Sequence, residues 1–196
     1  MQTHSLSDST KTRFSAYASY IRQFIASPRT VGSVVPSSAA LCKTMMNQID
    51  WCDSLVVAEL GAANGVLTKG LLTRMRADAQ LDAYEINPRF LQQLGAINDR
   101  RLQVVAASAE QLLRPYDAIF SCLPLLSLPV RVVTRIMRQI HQSLSPQGTY
   151  IQFQYSPLSE KLLSRYFYWQ RVVVVKNVPP ALVYICTPRK INETSI

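Results

Sequence analysis

The chain has 196 residues, enough for one domain with an appendage and for a sizeable buried core. With 48% hydrophobic and 17% charged residues, it cannot be a disordered chain, a coiled coil or a collagen. Lys and Arg number 21 against 12 Asp and Glu, a net charge of +9 that points to a polyanionic partner, nucleic acid or an anionic membrane surface, and says nothing of fold.

The first 13 residues are polar and lack an apolar run, so no signal peptide is expected. Residues 10–26 predict an amphipathic helix. Phe14, Tyr17, Ile21, Phe24 and Ile25 share one face, and Lys11, Arg13, Arg22 and Gln23 lie elsewhere. Pro28 ends it. A second helix spans 37–49, capped by Ser37 or Ser38. The strand at 55–60 is followed by a helix at 65–76, with Val66, Leu67, Leu71, Leu72 and Met75 on its buried side. A strand at 81–85 leads to Asn87-Pro88, which opens a helix with proline at its tolerated first position. Strands follow at 101–106 and 116–121. A helix at 129–144 stops at Ser145-Pro146-Gln147-Gly148, and a strand covers 149–155. Two late β-rich runs, 170–176 and 181–187, are joined by Asn177-Val178-Pro179-Pro180. Alternating strands and helices predict an α/β, doubly wound, mostly parallel sheet. The last link is too short for a parallel crossover, so at least one pair is antiparallel.

The four cysteines form no CxxC pair and only His4 and His141 are present, so neither a zinc site nor a disulfide framework is expected; four reduced thiols fit a cytosol. The longest uncharged apolar run, 118–130, holds Pro124 and Pro129 and is too short to span a bilayer. Any membrane contact would be at the surface.

The strongest chemical signal is residues 56–65, VVAELGAANG: strand, acid, small-residue loop, helix. Gly61 and Gly65 permit a tight turn and close approach of backbone to a ligand. Ala63 stands where a dinucleotide fingerprint has glycine and would crowd a pyrophosphate, and Glu59 suits a phosphate poorly. A cationic ligand without phosphate fits better. This loop resembles motif I of S-adenosylmethionine (SAM)-dependent methyltransferases, in which Ala62 would also line the cofactor. Glu85 ends the second strand 20 residues after Gly65, where a carboxylate, with Ile86 beside it, can take both ribose hydroxyls. Ser108, Ala109 and Glu110 follow the third strand, where such enzymes contact adenine; a plain helix cap is the alternative. Ser121-Cys122-Leu123-Pro124-Leu125-Leu126 follows the fourth strand and would face the transferring methyl group, with loop carbonyls toward a substrate nitrogen, unless it is only a packed connection.

Taken together, residues 24–38, 59–65, 84–88, 121–126, 152–157 and 177–181 resemble the bacterial phospholipid N-methyltransferases, which methylate phosphatidylethanolamine, over nearly the whole chain. The chain is also distantly similar to the rRNA adenine dimethylases. Their Asn-Leu-Pro-Tyr tetrad is here Cys122-Leu123-Pro124-Leu125, without the amide or the stacking aromatic that would clamp a flipped base. The lipid-enzyme loop is richer in Gly, and Cys122 replaces one of its glycines.

The resemblance implies a Rossmann-like class I methyltransferase of seven strands with the last antiparallel. Residues 1–50 would be a helical segment that docks the membrane and covers the pocket, and 51–196 the SAM-binding domain. SAM is the expected cofactor. Phosphatidylethanolamine or its partly methylated forms are the expected substrate, at an anionic membrane surface on the inner face of the cell membrane. No metal and no nucleic acid are expected as partners. The apolar stripe with basic flanks suits an interfacial helix, with Phe14, Tyr17, Tyr20, Ile21, Arg22 and Phe24 at the membrane; packing on the protein's own core is the alternative. Arg131 and Arg135, with Arg138, recur at helical spacing and could meet lipid phosphates or form a solvated face. Leu123, Pro124 and Tyr155 are the candidate catalytic residues, Tyr155 because an aromatic face can stabilise a methylated ammonium; a half-buried strand residue is its alternative. An RNA or small-amine methyltransferase, and a non-catalytic SAM-fold protein that binds or remodels membranes, are the competing functions. The number of methyl groups, the catalytic base and the oligomeric state stay open.

Overall fold

The apolar run after Ser54 becomes β1 (Val56–Leu60), a strand in the middle of a sheet and buried over its last four residues. Such a run, apolar on both faces, is what a central parallel strand requires. A computed structural model of the chain describes residues 38–190, Val178 excepted. Around β1 lie β2 (Gln80–Tyr84), β3 (Leu102–Val105), β4 (Tyr116–Ser121), β5 (Leu144–Gln154), β6 (Phe167–Val174) and β7 (Ala181–Pro188), in the spatial order β3-β2-β1-β4-β5-β7-β6. The first five neighbours run parallel, and β7 runs antiparallel to both β5 and β6. The expected doubly wound sheet with an antiparallel ending is borne out.

Five α-helices accompany the sheet among the described residues: α1 (Ala39–Met46), α2 (Val66–Arg74), α3 (Pro88–Gly95), α4 (Val130–Ser143) and α5 (Glu160–Tyr166). Ser38 caps α1, its hydroxyl accepting from Leu41 N–H at 3.2 Å. Asn87 caps α3 by accepting from Arg89 N–H, with Pro88 at the first position. Leu41 and Met45 of α1 pack with Leu67, Leu71 and Met75 against Val57, Phe120, Ile151 and Val183 of the sheet. Each such side chain is worth about 1.5–3 kcal/mol of burial. Trp51 lies flat on Phe120, 5.9 Å between ring centres. On the other face Val133, Ile136, Met137 and Ile140 form the buried stripe of α4, and Tyr150 and His141 meet Phe167.

Three details depart from the expectations. Val66 is exposed, because it is the first residue of α2; Thr68 turns inward instead. The Ser145–Gly148 stretch is not a loop but the irregular start of β5, where the β4–β5 register shifts between Tyr116 and Ala118. The short helix α5 was not anticipated and runs directly into β6, which begins three residues earlier than expected.

Candidate active site

The segments singled out from the sequence converge at the carboxyl ends of the parallel strands, where open α/β sheets bind ligands. In the loop after β1, Gly61, Ala63 and Gly65 all adopt left-handed conformations, with φ of 76°, 47° and 79°. Both Gly61 N–H and Ala62 N–H donate to Tyr84 O, at 2.9 and 3.1 Å, tying this loop to the end of β2. Ala63 carries a Cβ in a region that costs about 1–2 kcal/mol; its N–H donates to Glu85 Oε2 at 2.9 Å, which helps hold it there. A Cβ built on Gly61 would come within 2.9 Å of Leu123 Cδ2, so the loop after β4 lies directly over this glycine.

Glu85 is 6% exposed. Its Oε1 accepts from the N–H groups of Ile86 and Asn87, both at 2.8 Å. One carboxylate therefore joins the loops after β1 and β2 through three amide donors. It has about four acceptor sites, so capacity remains for a ligand hydroxyl.

Glu59 is fully buried. Thr68 Oγ1 donates to its Oε2 at 2.6 Å, and its Oε1 has no partner. Burial pushes its pKa up to about 8; the Thr68 hydroxyl opposes the shift and the Glu85 charge adds to it. Thr68 was not picked out from the sequence, although a polar residue on the buried side of α2 was the available signal.

After β3, Ala109 is buried and Ser108 Oγ donates to Glu110 Oε2 at 3.2 Å. Glu110 also forms an ion pair with Arg135 of α4. Two residues expected at adenine and at lipid phosphate thus meet each other, while Arg131 and Arg138 are exposed on α4.

After β4, Ser121 is fully buried, and Cys122 N–H donates to Leu60 O at 3.0 Å. The Leu123 carbonyl receives three donors: Leu125 N–H at 3.0 Å and the side-chain amides of Gln152 and Gln154 at 3.1 Å each. Pro124 O accepts from Ser127 N–H at 2.9 Å. Leu123 O thus serves three of the protein's own donors, while Pro124 O accepts one and keeps a second lone pair. Gln152 and Gln154 were missed as site residues; two amides at strand spacing in an otherwise apolar run were the signal.

Tyr155 follows β5, its ring edge-on to Phe153 at 5.6 Å and packed against the α1/α2 side of the core. Its hydroxyl is buried without a partner, and burial raises its pKa, with Asn177 opposing. Asn177, in the β6–β7 link, is 1% exposed. Phe14, Tyr17, Tyr20, Ile21, Arg22 and Phe24 lie outside the described residues. Among the described residues no cluster of His, Cys, Asp and Glu could hold a metal ion, and no helix is long and apolar enough to cross a membrane.

No family model matches the chain. It is 28% identical over 179 residues to an ornithine lipid N-methyltransferase of Singulisphaera acidiphila, an alignment covering 85% of this chain and 93% of the relative. Among solved structures it is similar to the N-methyltransferase NodS of Bradyrhizobium japonicum bound to S-adenosylhomocysteine. That match has a TM-score of 0.70 and 13% identity, over 89% of this chain and 98% of the other. It is also similar to a 1,6-didemethyltoxoflavin-N1-methyltransferase of Burkholderia thailandensis, with a TM-score of 0.67 and 14% identity, over 97% and 94% of the two chains. The expected likeness to bacterial lipid N-methyltransferases and the Rossmann-like class I methyltransferase fold are both borne out.

Proposed function

We infer that this chain, a SAM-dependent N-methyltransferase by fold and by near full-length relatedness, methylates the amine of a membrane-lipid headgroup. The relative that itself acts on a lipid amine carries this reading. Phosphatidylethanolamine or its partly methylated forms are the proposed substrate, supported by the resemblance of residues 121–126 and 177–181. An ornithine lipid is the second reading, favoured by the relative's substrate. An acceptor loop of Cys122-Leu123-Pro124-Leu125 suits a lipid better than a base. Exposed Leu126, Val130 and Leu158 add apolar surface in the turns around it. The apolar stripe of residues 10–26 is proposed as the segment that docks on anionic lipid, at the inner face of the cell membrane.

The described residues suit SAM. The buried, unpartnered Glu59 Oε1 complements a cationic ligand, whose charge would favour the carboxylate over the neutral acid. Glu85 keeps acceptor capacity for ribose hydroxyls, and the buried Ser108 and Ala109 after β3 are the proposed nucleobase contacts. Bound there, SAM supplies a methyl carbon made electrophilic by its sulfonium. The protein's part is to align the acceptor amine and to exclude water, which favours the neutral amine over the ammonium.

The test is incubation of the full chain with radiolabelled SAM in phosphatidylglycerol vesicles containing phosphatidylethanolamine or ornithine lipid, then lipid chromatography. Label in a lipid amine and none in structured RNA is expected. Label in RNA with unlabelled lipid would reverse the reading.

A further inference from the structure

Four buried side-chain polar atoms of the described residues lack a hydrogen-bond partner: Glu59 Oε1, Tyr155 Oη, Ser159 Oγ and Asn177 Oδ1. Such atoms are rare in folded proteins and each calls for an explanation. All four lie at the carboxyl edge of the sheet. Glu59 ends β1, Tyr155 and Ser159 follow β5, and the β6–β7 link brings Asn177 to the same edge, because Leu182 pairs with Gln154 and Ala181 with Val174. Glu59 suits the cationic methyl donor. Ser159 precedes α5 and makes no side-chain capping bond. Tyr155 and Asn177 remain.

The orientation of Asn177 is fixed. Its Nδ2 donates to Pro179 O at 2.7 Å, and a carbonyl can only be met by the nitrogen, so Oδ1 must face the other way. The register sets Asn177 beside the same edge as Tyr155: Gln154, which precedes Tyr155, pairs with Leu182, and Ala181 pairs with Val174; neither Tyr155 Oη nor Asn177 Oδ1 has a hydrogen-bond partner. Ser121 pairs with Gln152, so Tyr155 and the acceptor loop leave adjacent parallel strands at the same edge. Two buried oxygens without hydrogen-bond partners thus lie at the edge of the sheet where the loop after β4 also emerges.

Resting on the lipid-amine reading above, we propose that Asn177 Oδ1 and Tyr155 Oη form the seat of the acceptor amine, each receiving one of its N–H groups. The ammonium first loses a proton to water. A neutral primary amine then has two N–H groups and a lone pair. With both N–H groups held, only the lone pair is left for reaction. It forms the new N–C bond as the C–S pair withdraws to sulfur, leaving S-adenosylhomocysteine and a methylammonium, which sheds a proton to solvent before another round. A monomethylated amine has one N–H to offer and a dimethylated amine none. The seat therefore grips the first acceptor best and the third not at all.

The test uses the full chain with Asn177→Leu and the near-isosteric Tyr155→Phe, in phosphatidylglycerol vesicles carrying phosphatidylethanolamine, its monomethyl form or its dimethyl form. If phosphatidylethanolamine is inert, ornithine lipid replaces it. Losing a hydrogen bond to a buried group should lower kcat/KM on the primary amine about tenfold or more. The loss should be smaller on the monomethyl lipid and absent on the dimethyl lipid, with SAM affinity unchanged; Asn177→Leu also loses the bond to Pro179 O and melts lower, whereas Tyr155→Phe does not. Short-chain phosphatidylethanolamine should also bind the S-adenosylhomocysteine-loaded Asn177→Leu protein more weakly than wild type by calorimetry. Equal losses on all three lipids would make the pair merely structural. Undiminished activity of both variants on the primary amine would overturn the seat alone. A wild-type protein that labels neither lipid would overturn the seat and the lipid reading together.

Discussion

Glu59 is a carboxylic acid that folding keeps neutral. Its pKa rises from 4.5 to about 8, chiefly through burial. The folded state therefore holds a proton that the unfolded state releases above pH 4.5. The stability it contributes is complete below pH 4.5, declines at up to about 1.4 kcal/mol per pH unit, and is gone above about pH 8. Urea unfolding across this window should show that decline in the ligand-free protein and a flatter profile in Glu59→Gln. A cation bound beside Glu59 favours the carboxylate. SAM binding at pH 7 should accordingly expel a proton, seen as a buffer-dependent binding enthalpy, and Glu59→Gln should lose that dependence. Glu59, Gly61 and Glu85 were legible in the sequence because their chemistry is set by spacing within one strand–loop–helix unit. Asn177 and Gln154 were not. Gln154 acts on a carbonyl 31 positions away. Asn177 lies in a link that only the sheet register brings to the carboxyl edge.

Among the elements, β5 governs the acceptor loop. Gln152 is held by Tyr150, whose hydroxyl donates to its Oε1, while its own amide donates to Leu123 O and Phe153 O. Gln154 adds the second side-chain donor to Leu123 O. These contacts fix a loop whose Leu123 side chain also covers Gly61. Gln154→Ala removes one donor and leaves the carbonyl two, a cost of about 1 kcal/mol. We expect turnover to fall several-fold with SAM affinity nearly constant, read from steady-state kinetics beside calorimetry. A matching loss of SAM affinity would show that the cofactor loop is set from β5 as well. Element order and type were readable from apolar runs, capping residues and prolines. Helix α5 was not, because it spans only Glu160–Tyr166 and passes into β6 without a Gly or Pro. The Ser145–Gly148 stretch reads locally as a turn, but pairing of Leu144 with Tyr116 draws it into the strand.

At the scale of the molecule, the charge of +9 is the long-range partner signal. Attraction between this charge and an anionic bilayer is screened over about 10 Å at 0.1 M salt. Binding to phosphatidylglycerol vesicles should weaken as salt rises and should be lost on removal of residues 1–26, with the remaining domain folded; sedimentation with anionic and neutral vesicles measures both. Equal binding to the two vesicle types would remove charge as the cause. The strand order has a further consequence, for how the protein is made. Strand β7 lies between β5 and β6, yet leaves the ribosome after both. At about 5–20 residues per second, β5 waits several seconds for this neighbour, with a row of backbone amides and carbonyls open to any other chain. The sheet closes only when β7 arrives, and the same event delivers the β6–β7 link to the carboxyl edge. Nascent chains stalled before Pro188 would therefore lack both a finished sheet and a finished site, and on crowded polysomes β5 is where they would stick to one another.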